Sequence, residues 1–275
     1  MKGQANNGNF LGDIVTSKQR EVALRKQARN ADALIKIIEA GQPARSFEQA
    51  MAANEPPRII AEIKRRSPSR GVFAGSIDID RLAADYASAG ASALSVLTDD
   101  LHFGGSIEDL VAAKRSVEIP VLRKDFIIDE FQVYESRAMG ADTLLLIVRL
   151  LGSGVGTYIE LSRKLGMEPL VEVHSEDDLT IALDAGSRII GINSRDLETF
   201  DVNRDVVEGL VGHIPENVYT IAESGIVSTD VISEFLKLGI DGFLIGEAFM
   251  RAESPAKRLR EFIDKFRISS FTERR

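Results

Sequence analysis

Glu62 and Lys64 close the apolar run 59–63, and Arg123, Lys124 and Asp125 follow Val121 and Leu122. Glu172 stands near the end of 169–173, Asn193 and Arg195 follow 188–192, and Glu223 follows 218–222. Residues two apart in an extended strand share a face, so Glu62 goes with Lys64 and Asn193 with Arg195. A charge at one strand end is ordinarily a surface ion pair of little energetic weight. The same feature on five runs instead indicates a shared, partly dry cavity. Two lysines and two or three glutamates in one cavity shift one another's proton affinities, and such a set could supply a general acid and a general base near neutral pH. That suits proton-coupled chemistry at carbon. After the last two runs, Ser224-Gly225 and Gly246 add glycine turns whose backbone N–H groups are suited to cradling phosphate. The ligand implied is a phosphorylated small molecule.

Positioning these residues requires a repeating scaffold. From about Ile59 onward, a short run rich in Ile, Val and Leu gives way eight times to a polar loop and a helix-period stretch. The runs are 59–63, 93–97, 121–124, 143–148, 169–173, 188–192, 218–222 and 242–245; near-continuous apolarity marks strands buried on both faces, hence parallel. Helices are expected over 79–89, 107–117, 130–139, 157–165, 176–185, 204–211, 229–238 and 255–266. Gly90, Gly140, Gly186 and Gly239 suit left-handed helix ends, and Ser106, Asp129, Ser175, Ser228 and Ser254 suit N-caps. Eight strand–helix units with right-handed crossovers close most naturally into an α/β (β/α)8 TIM barrel. A doubly wound open sheet is the alternative, but the first strand leads into Lys64-Arg65-Arg66-Ser67-Pro68-Ser69-Arg70-Gly71 rather than a glycine fingerprint. Residues 1–45 stand outside the repeat, with Leu11, Ile14, Val15, Val22, Leu34, Ile35 and Ile38 at roughly helical spacing. They are expected to form an N-terminal amphipathic helical extension, and 46–275 the barrel catalytic domain.

The chain has 275 residues, 44% hydrophobic and 28% charged, with 22 Gly and 8 Pro, which excludes disordered and fibrous classes. A net charge of −8 argues against general nucleic-acid or anionic-membrane binding. With no Cys there is no disulfide, thiolate metal site or cysteine nucleophile, and a reducing cytoplasm suits such a chain. The polar residues 1–10 and the short apolar stretch 143–151, broken by Arg149, predict neither export nor membrane insertion.

Four stretches closely resemble the indole-3-glycerol phosphate synthase family: Ala61-Glu62-Ile63-Lys64-Arg65-Arg66-Ser67-Pro68-Ser69, Leu122-Arg123-Lys124-Asp125-Phe126-Ile127-Ile128-Asp129, Gly191-Ile192-Asn193-Ser194-Arg195-Asp196-Leu197 and Ile221-Ala222-Glu223-Ser224-Gly225-Ile226. The likeness runs in register from the N-terminal helices to Phe249-Met250. It implies closure of the pyrrole ring of 1-(2-carboxyphenylamino)-1-deoxyribulose 5-phosphate with loss of carbon dioxide and water, without cofactor or metal. By this resemblance Lys124 is the general acid at the ketone and Glu172 the base that takes the amine proton during dehydration. Glu62 would orient Lys64 and Lys124, while Asn193 and Glu223 would hold substrate hydroxyls and balance charge. Lys64, Ser67 and Arg195, with the backbone at Ser224-Gly225 and Gly246-Glu247, would bind phosphate; the division of acid work between Lys64 and Lys124 stays open. Phe103, Phe126, Leu145 and Leu197 match positions lining an apolar slot for the aromatic ring. Partner enzymes of the tryptophan pathway are a further implication.

Other signals point elsewhere or nowhere. Gly152-Ser153-Gly154-Val155-Gly156 invites a dinucleotide reading, but Thr157 stands where the third glycine belongs, so a mobile loop is expected. Arg65, Arg66 and Arg70 form a basic cluster without the aromatic interleaving of a nucleic-acid site. His102, His174 and His213 lack metal-ligand spacing and are expected at the surface. Glu247 stands where some relatives have serine, and its carboxylate is expected to point away from the ligand. Two rival functions remain: a Schiff-base aldolase or sugar-phosphate isomerase using Lys124 as a covalent amine, and a non-catalytic barrel that docks a pathway partner.

Overall fold

The computed structural model describes residues 10–53, 55–68, 71–73 and 76–272. Residues 1–9 of the polar stretch 1–10, Ser69 of the first motif and Arg70 of the basic cluster lie outside the described residues. Eight parallel strands form a closed barrel: β1 (Arg58–Ile63), β2 (Ala93–Leu97), β3 (Val121–Lys124), β4 (Thr143–Ile147), β5 (Leu170–Val173), β6 (Ile189–Asn193), β7 (Tyr219–Glu223) and β8 (Gly242–Ile245). Closure is made by β1, which pairs with β2 on one side (Ile60 opposite Ala93) and with β8 on the other (Arg58 opposite Gly242), so the barrel itself has no open edge. The fold is thus the α/β barrel expected, within a residue or two at each strand.

Period-two alternation divides every strand between two cores. Ile59, Ala61, Leu94, Val121, Leu144, Val171, Ile190 and Phe243 face the surrounding helices. Ile60, Ala93, Leu122, Leu145, Leu170, Ile189, Ile221 and Leu244 fill the barrel interior. Two, four or six residues along the inward set, five of the strands bring a polar or charged residue to the carboxyl end of the barrel: Ile60 leads to Glu62 and Lys64, Leu122 to Lys124, Leu170 to Glu172, Ile189 to Asn193 and Arg195, and Ile221 to Glu223. The packing that buries the apolar inward residues, worth roughly 1.5–3 kcal/mol for each large side chain, therefore fixes which charged residues enter the mouth.

Among the described residues, three helices precede the barrel: α1 (Phe10–Ala28), α2 (Ala31–Ala40) and α3 (Phe47–Ala53). Phe47 and Met51 of α3 join the interior cluster with Ile189 and Tyr219, the first residues of β6 and β7, so α3 plugs the amino end. Helix α1 crosses the other end, where its Lys18 meets Asp99 beyond β2 and Asp125 beyond β3.

Gly90, Gly140, Gly186 and Gly239 all adopt the expected left-handed backbone. Ser106, Asp129 and Ser175 cap their helices through side-chain oxygens, whereas Ser228 makes no side-chain cap. The glycine run after β4 is not a loop. Val148–Leu151 and Val155–Lys164 are α-helical and Gly152–Gly154 joins them as a 3-10 turn, because Val155 and Ile159 bury a helical face that the glycine count conceals.

Candidate active site

A single cavity at the carboxyl end of the strands is lined by every residue that the resemblance assigns to the site: the six charged or amide groups, the phosphate set and the apolar four. At its centre the Lys124 ammonium lies 3.6 Å from Glu172 Oε2 and 3.5 Å from Glu223 Oε2. Lys64 Nζ stands 2.5 Å from Glu62 Oε1, as their shared face requires. Burial alone would pull the Lys124 proton affinity down; the carboxyl groups of Glu223, Glu172 and Glu62 more than offset it and hold the ammonium above the usual lysine value.

The two carboxyl groups beside Lys124 are driven apart. Burial pushes Glu223 up, Lys124 pulls it down and Glu172 with Glu62 raises it again, leaving it at about 8. Glu172 is also pushed up by burial, but Lys124, His174 and a hydrogen bond from Asn193 outweigh that and hold it below the ordinary carboxylate range. Near neutral pH the cluster thus contains a charged acid, Lys124, and an ionised base, Glu172, within one contact. Such divergence is how paired titratable groups take opposite roles.

Two glycines make the arrangement sterically feasible. A Cβ on Gly191 would sit 2.2 Å from Glu223 Oε1, and one on Gly246 would sit 2.3 Å from Glu62 Oε1. These positions, one within β6 and one directly after β8, are bare because carboxyl groups occupy the space that a side chain would take.

Directly after Glu223, Ser224 and Gly225 both take left-handed backbone, with φ of 62° and 67°. For Ser224 that conformation is unusual and marks an over-determined turn. Arg195 donates to the Phe200 carbonyl at 2.9 Å, and its guanidinium lies 3.6 Å from Glu247 Oε2. Glu247 therefore turns towards Arg195 and Arg251 (3.1 Å), a geometry that partly neutralises the cation expected to hold phosphate. Phe103 and Phe126 form the aromatic wall, with ring centroids 6.1 Å apart, and Leu145 and Leu197 pack in the same cluster.

The sequence reading passed over several residues that the structure brings to the site. Phe200, Val202, Arg204 and Ile226 also line the cavity. Phe200 meets Phe10 of α1 at 4.7 Å between centroids; an aromatic in a polar loop, it carries the same signal as Phe103. Lys18 is fully buried, 2.9 Å from Asp125 and 3.0 Å from Asp99, and Arg123 is fully buried against Asp125 and Glu135 at 2.9 Å each. Arg123 thus faces outward and belongs to the support of the site. Arg65 grips Asp109, and Arg66 binds the Asp100 and Leu101 carbonyls at 2.6 and 2.9 Å, so both brace neighbouring loops.

The histidines divide. His213 is exposed as expected. His102 is half-buried, 3.1 Å from Asp99. His174 is not a surface residue: its side chain is 5% exposed, and its Nε2 lies 3.4 Å from Glu172 Oε1. It continues the inward parity of β5 one step beyond Glu172.

Comparison with known proteins agrees with this geometry. A protein of Kineococcus radiotolerans described as indole-3-glycerol phosphate synthase is 40% identical over 258 residues, covering 92% of this chain and 94% of the relative. One of Thermoanaerobacter pseudethanolicus with the same description is 39% identical over 253 residues, covering 92% and 96%. Among solved structures, an N-acetylmannosamine-6-phosphate 2-epimerase from Clostridium perfringens matches with a TM-score of 0.60 over 82% of this chain and 99% of that one; at 15% identity it shows the fold alone. The family model for indole-3-glycerol phosphate synthase matches residues 11–262, and the chain belongs to that family of carboxy-lyases, acting in tryptophan biosynthesis.

Proposed function

We propose that Lys124 is the proton donor and Glu172 the proton acceptor of the ring closure, in which 1-(2-carboxyphenylamino)-1-deoxyribulose 5-phosphate loses carbon dioxide and water. The observation that carries this reading is the Lys124 ammonium held between Glu172 and Glu223 at 3.5–3.6 Å, kept charged and partly desolvated. A proton delivered to the ketone oxygen makes its carbon electrophilic, and the aromatic ring carbon attacks. Decarboxylation restores aromaticity; loss of the hydroxyl as water, with a proton passing to Glu172, completes the indole. A lysine kept in its ammonium form lacks the lone pair that imine formation needs, which favours ring closure over a Schiff-base mechanism at Lys124.

Glu62 positions Lys64, Asn193 and Glu223 hold the substrate hydroxyls, and Phe103, Phe126, Leu145 and Leu197 receive the anthranilate ring. Lys64, Ser67, Arg195 and the backbone at Ser224-Gly225 and Gly246-Glu247 hold phosphate. The same reading carries a phosphorylated small molecule as substrate, no nucleic-acid role, a cytoplasmic setting and contacts with other enzymes of tryptophan synthesis. Glu172→Gln, which keeps shape and removes the base, tests the central pairing: turnover, followed by indole fluorescence, is expected to fall with little change in KM. A raised KM with turnover retained would make Glu172 a binding group instead.

A further inference from the structure

The proposed reaction consumes one proton per turnover. The ketone oxygen takes up one on ring closure and the departing hydroxyl takes up a second. Carbon dioxide leaves the carboxylate without one, and formation of the indole returns one to Glu172. The second proton is needed while substrate still fills the mouth, where Lys124 is cut off from solvent on that side.

His174 stands on the far side of Glu172. Its Nε2 is 3.4 Å from Glu172 Oε1, its Nδ1 is 3.9 Å from Asp178 Oδ2, and Glu172 Oε2 is 3.6 Å from Lys124 Nζ. Asp178, at the start of the helix Glu176–Asp184, accepts the His174 backbone N–H at 3.0 Å, and its side chain is 14% exposed against 1% for Glu172. Neither ring nitrogen of this buried imidazole has a hydrogen-bond partner. Buried polar groups left unsatisfied are rare, and each calls for a physical reason. Catalytic contacts of this length commonly tighten when substrate binds.

We infer that His174 relays to Lys124, through Glu172, the proton that each turnover draws from solvent. Nδ1 takes a proton from the Asp178 side, Nε2 gives one to the Glu172 carboxylate, and the Glu172 carboxyl passes it to the neutral Lys124 amine. Lys124 then protonates the departing hydroxyl, and Glu172, again ionised, accepts the proton released and passes it to Lys124, which restores the ammonium and the carboxylate for the next turnover. His174 is a positioning and relay residue: it touches Glu172, not substrate. The inference rests on the assignment of Glu172 as base.

The test is a single turnover with the full-length enzyme in excess, following carbon dioxide release and indole fluorescence separately. In His174→Asn, carbon dioxide release is expected within about twofold of the parent enzyme while indole formation slows about tenfold or more. In His174→Ala, added imidazole is expected to restore the second phase. Asp178→Asn, which keeps the acceptor for the His174 backbone, reads the outer end of the relay and is expected to show the same separation. Equal slowing of both phases, an unchanged second phase, or a folded His174→Ala enzyme that imidazole fails to restore would each overturn the relay. Glu172→Gln separates this outcome from failure of the underlying reading. Indole formed at the parent rate by Glu172→Gln removes Glu172 as base, whereas a stalled Glu172→Gln beside a normal His174→Asn removes only the relay.

Discussion

At the scale of single residues, the energetics of the mouth are set by carboxyl groups competing for a few cations. On the proposed reading, Glu247, 3.6 Å from Arg195, would compete with the ligand phosphate for that guanidinium. Glu247→Gln is therefore expected to tighten binding of inorganic phosphate, and Arg195→Ala to weaken it by about 1.5–3 kcal/mol, the range for a hydrogen bond to a charged group; calorimetric titration checks both, and unchanged binding in Arg195→Ala would remove that residue from the site. Glu223 gives a pH prediction. Its folded-state value of about 8 lies above the ordinary 4.5, so its contribution to stability is complete below about 4.5 and is lost as pH rises towards 8. The parent protein is expected to lose stability relative to Glu223→Gln across that window, with a slope of up to about 1.4 kcal/mol per pH unit. Parallel melting-temperature profiles for the two proteins would show that Glu223 is ionised in the fold.

At the scale of elements, α1 is tied to the barrel by charge as much as by apolar contact. Ile14, Lys18 and Val22 are its buried residues, four apart. A lysine in the middle of that stripe is the legible signal of a buried ion pair, but its partners, Asp99 and Asp125, lie some eighty and a hundred residues away and no local pattern names them. Burial pushes Asp125 up, yet Arg123 and Lys18 hold it well below the usual carboxylate range. Its contribution to stability is thus present above the ordinary aspartate range and is lost only as pH falls below it. Lys18→Met leaves two buried carboxylates short of a cation and is expected to destabilise the fold by about 3–5 kcal/mol in denaturant titration; a loss under about 1 kcal/mol would mean that α1 is held by its apolar face alone. His174 was hidden for a simpler reason: the apolar run of β5 ends at Val173, and strand parity was not carried one residue further. The run 152–156 reads as a loop because its three glycines mask the Val155 and Ile159 stripe.

At the scale of the whole molecule, closure of the barrel converts eight local alternations into one convergent site. That is why Glu62, Lys64, Lys124, Glu172, Asn193 and Glu223 were readable from strand parity alone, whereas Phe200 and Arg204, carried on a loop whose path no periodicity dictates, were not. The same closure concentrates Lys64, Lys124 and Arg195 at one mouth in a chain of net charge −8, so the proposed anion binding would be local and not a property of the overall field. The central claim is that this mouth is built around Lys124 as a proton donor, on a scaffold that does not need it. Turnover of the synthase substrate by Lys124→Ala, measured as indole fluorescence alongside phosphate binding and thermal unfolding, tests it most directly. The expected result is a loss of several orders of magnitude in kcat with phosphate affinity and melting temperature close to the parent; turnover within about tenfold of the parent, or a borohydride-trapped substrate adduct on Lys124 of the parent enzyme, would contradict it.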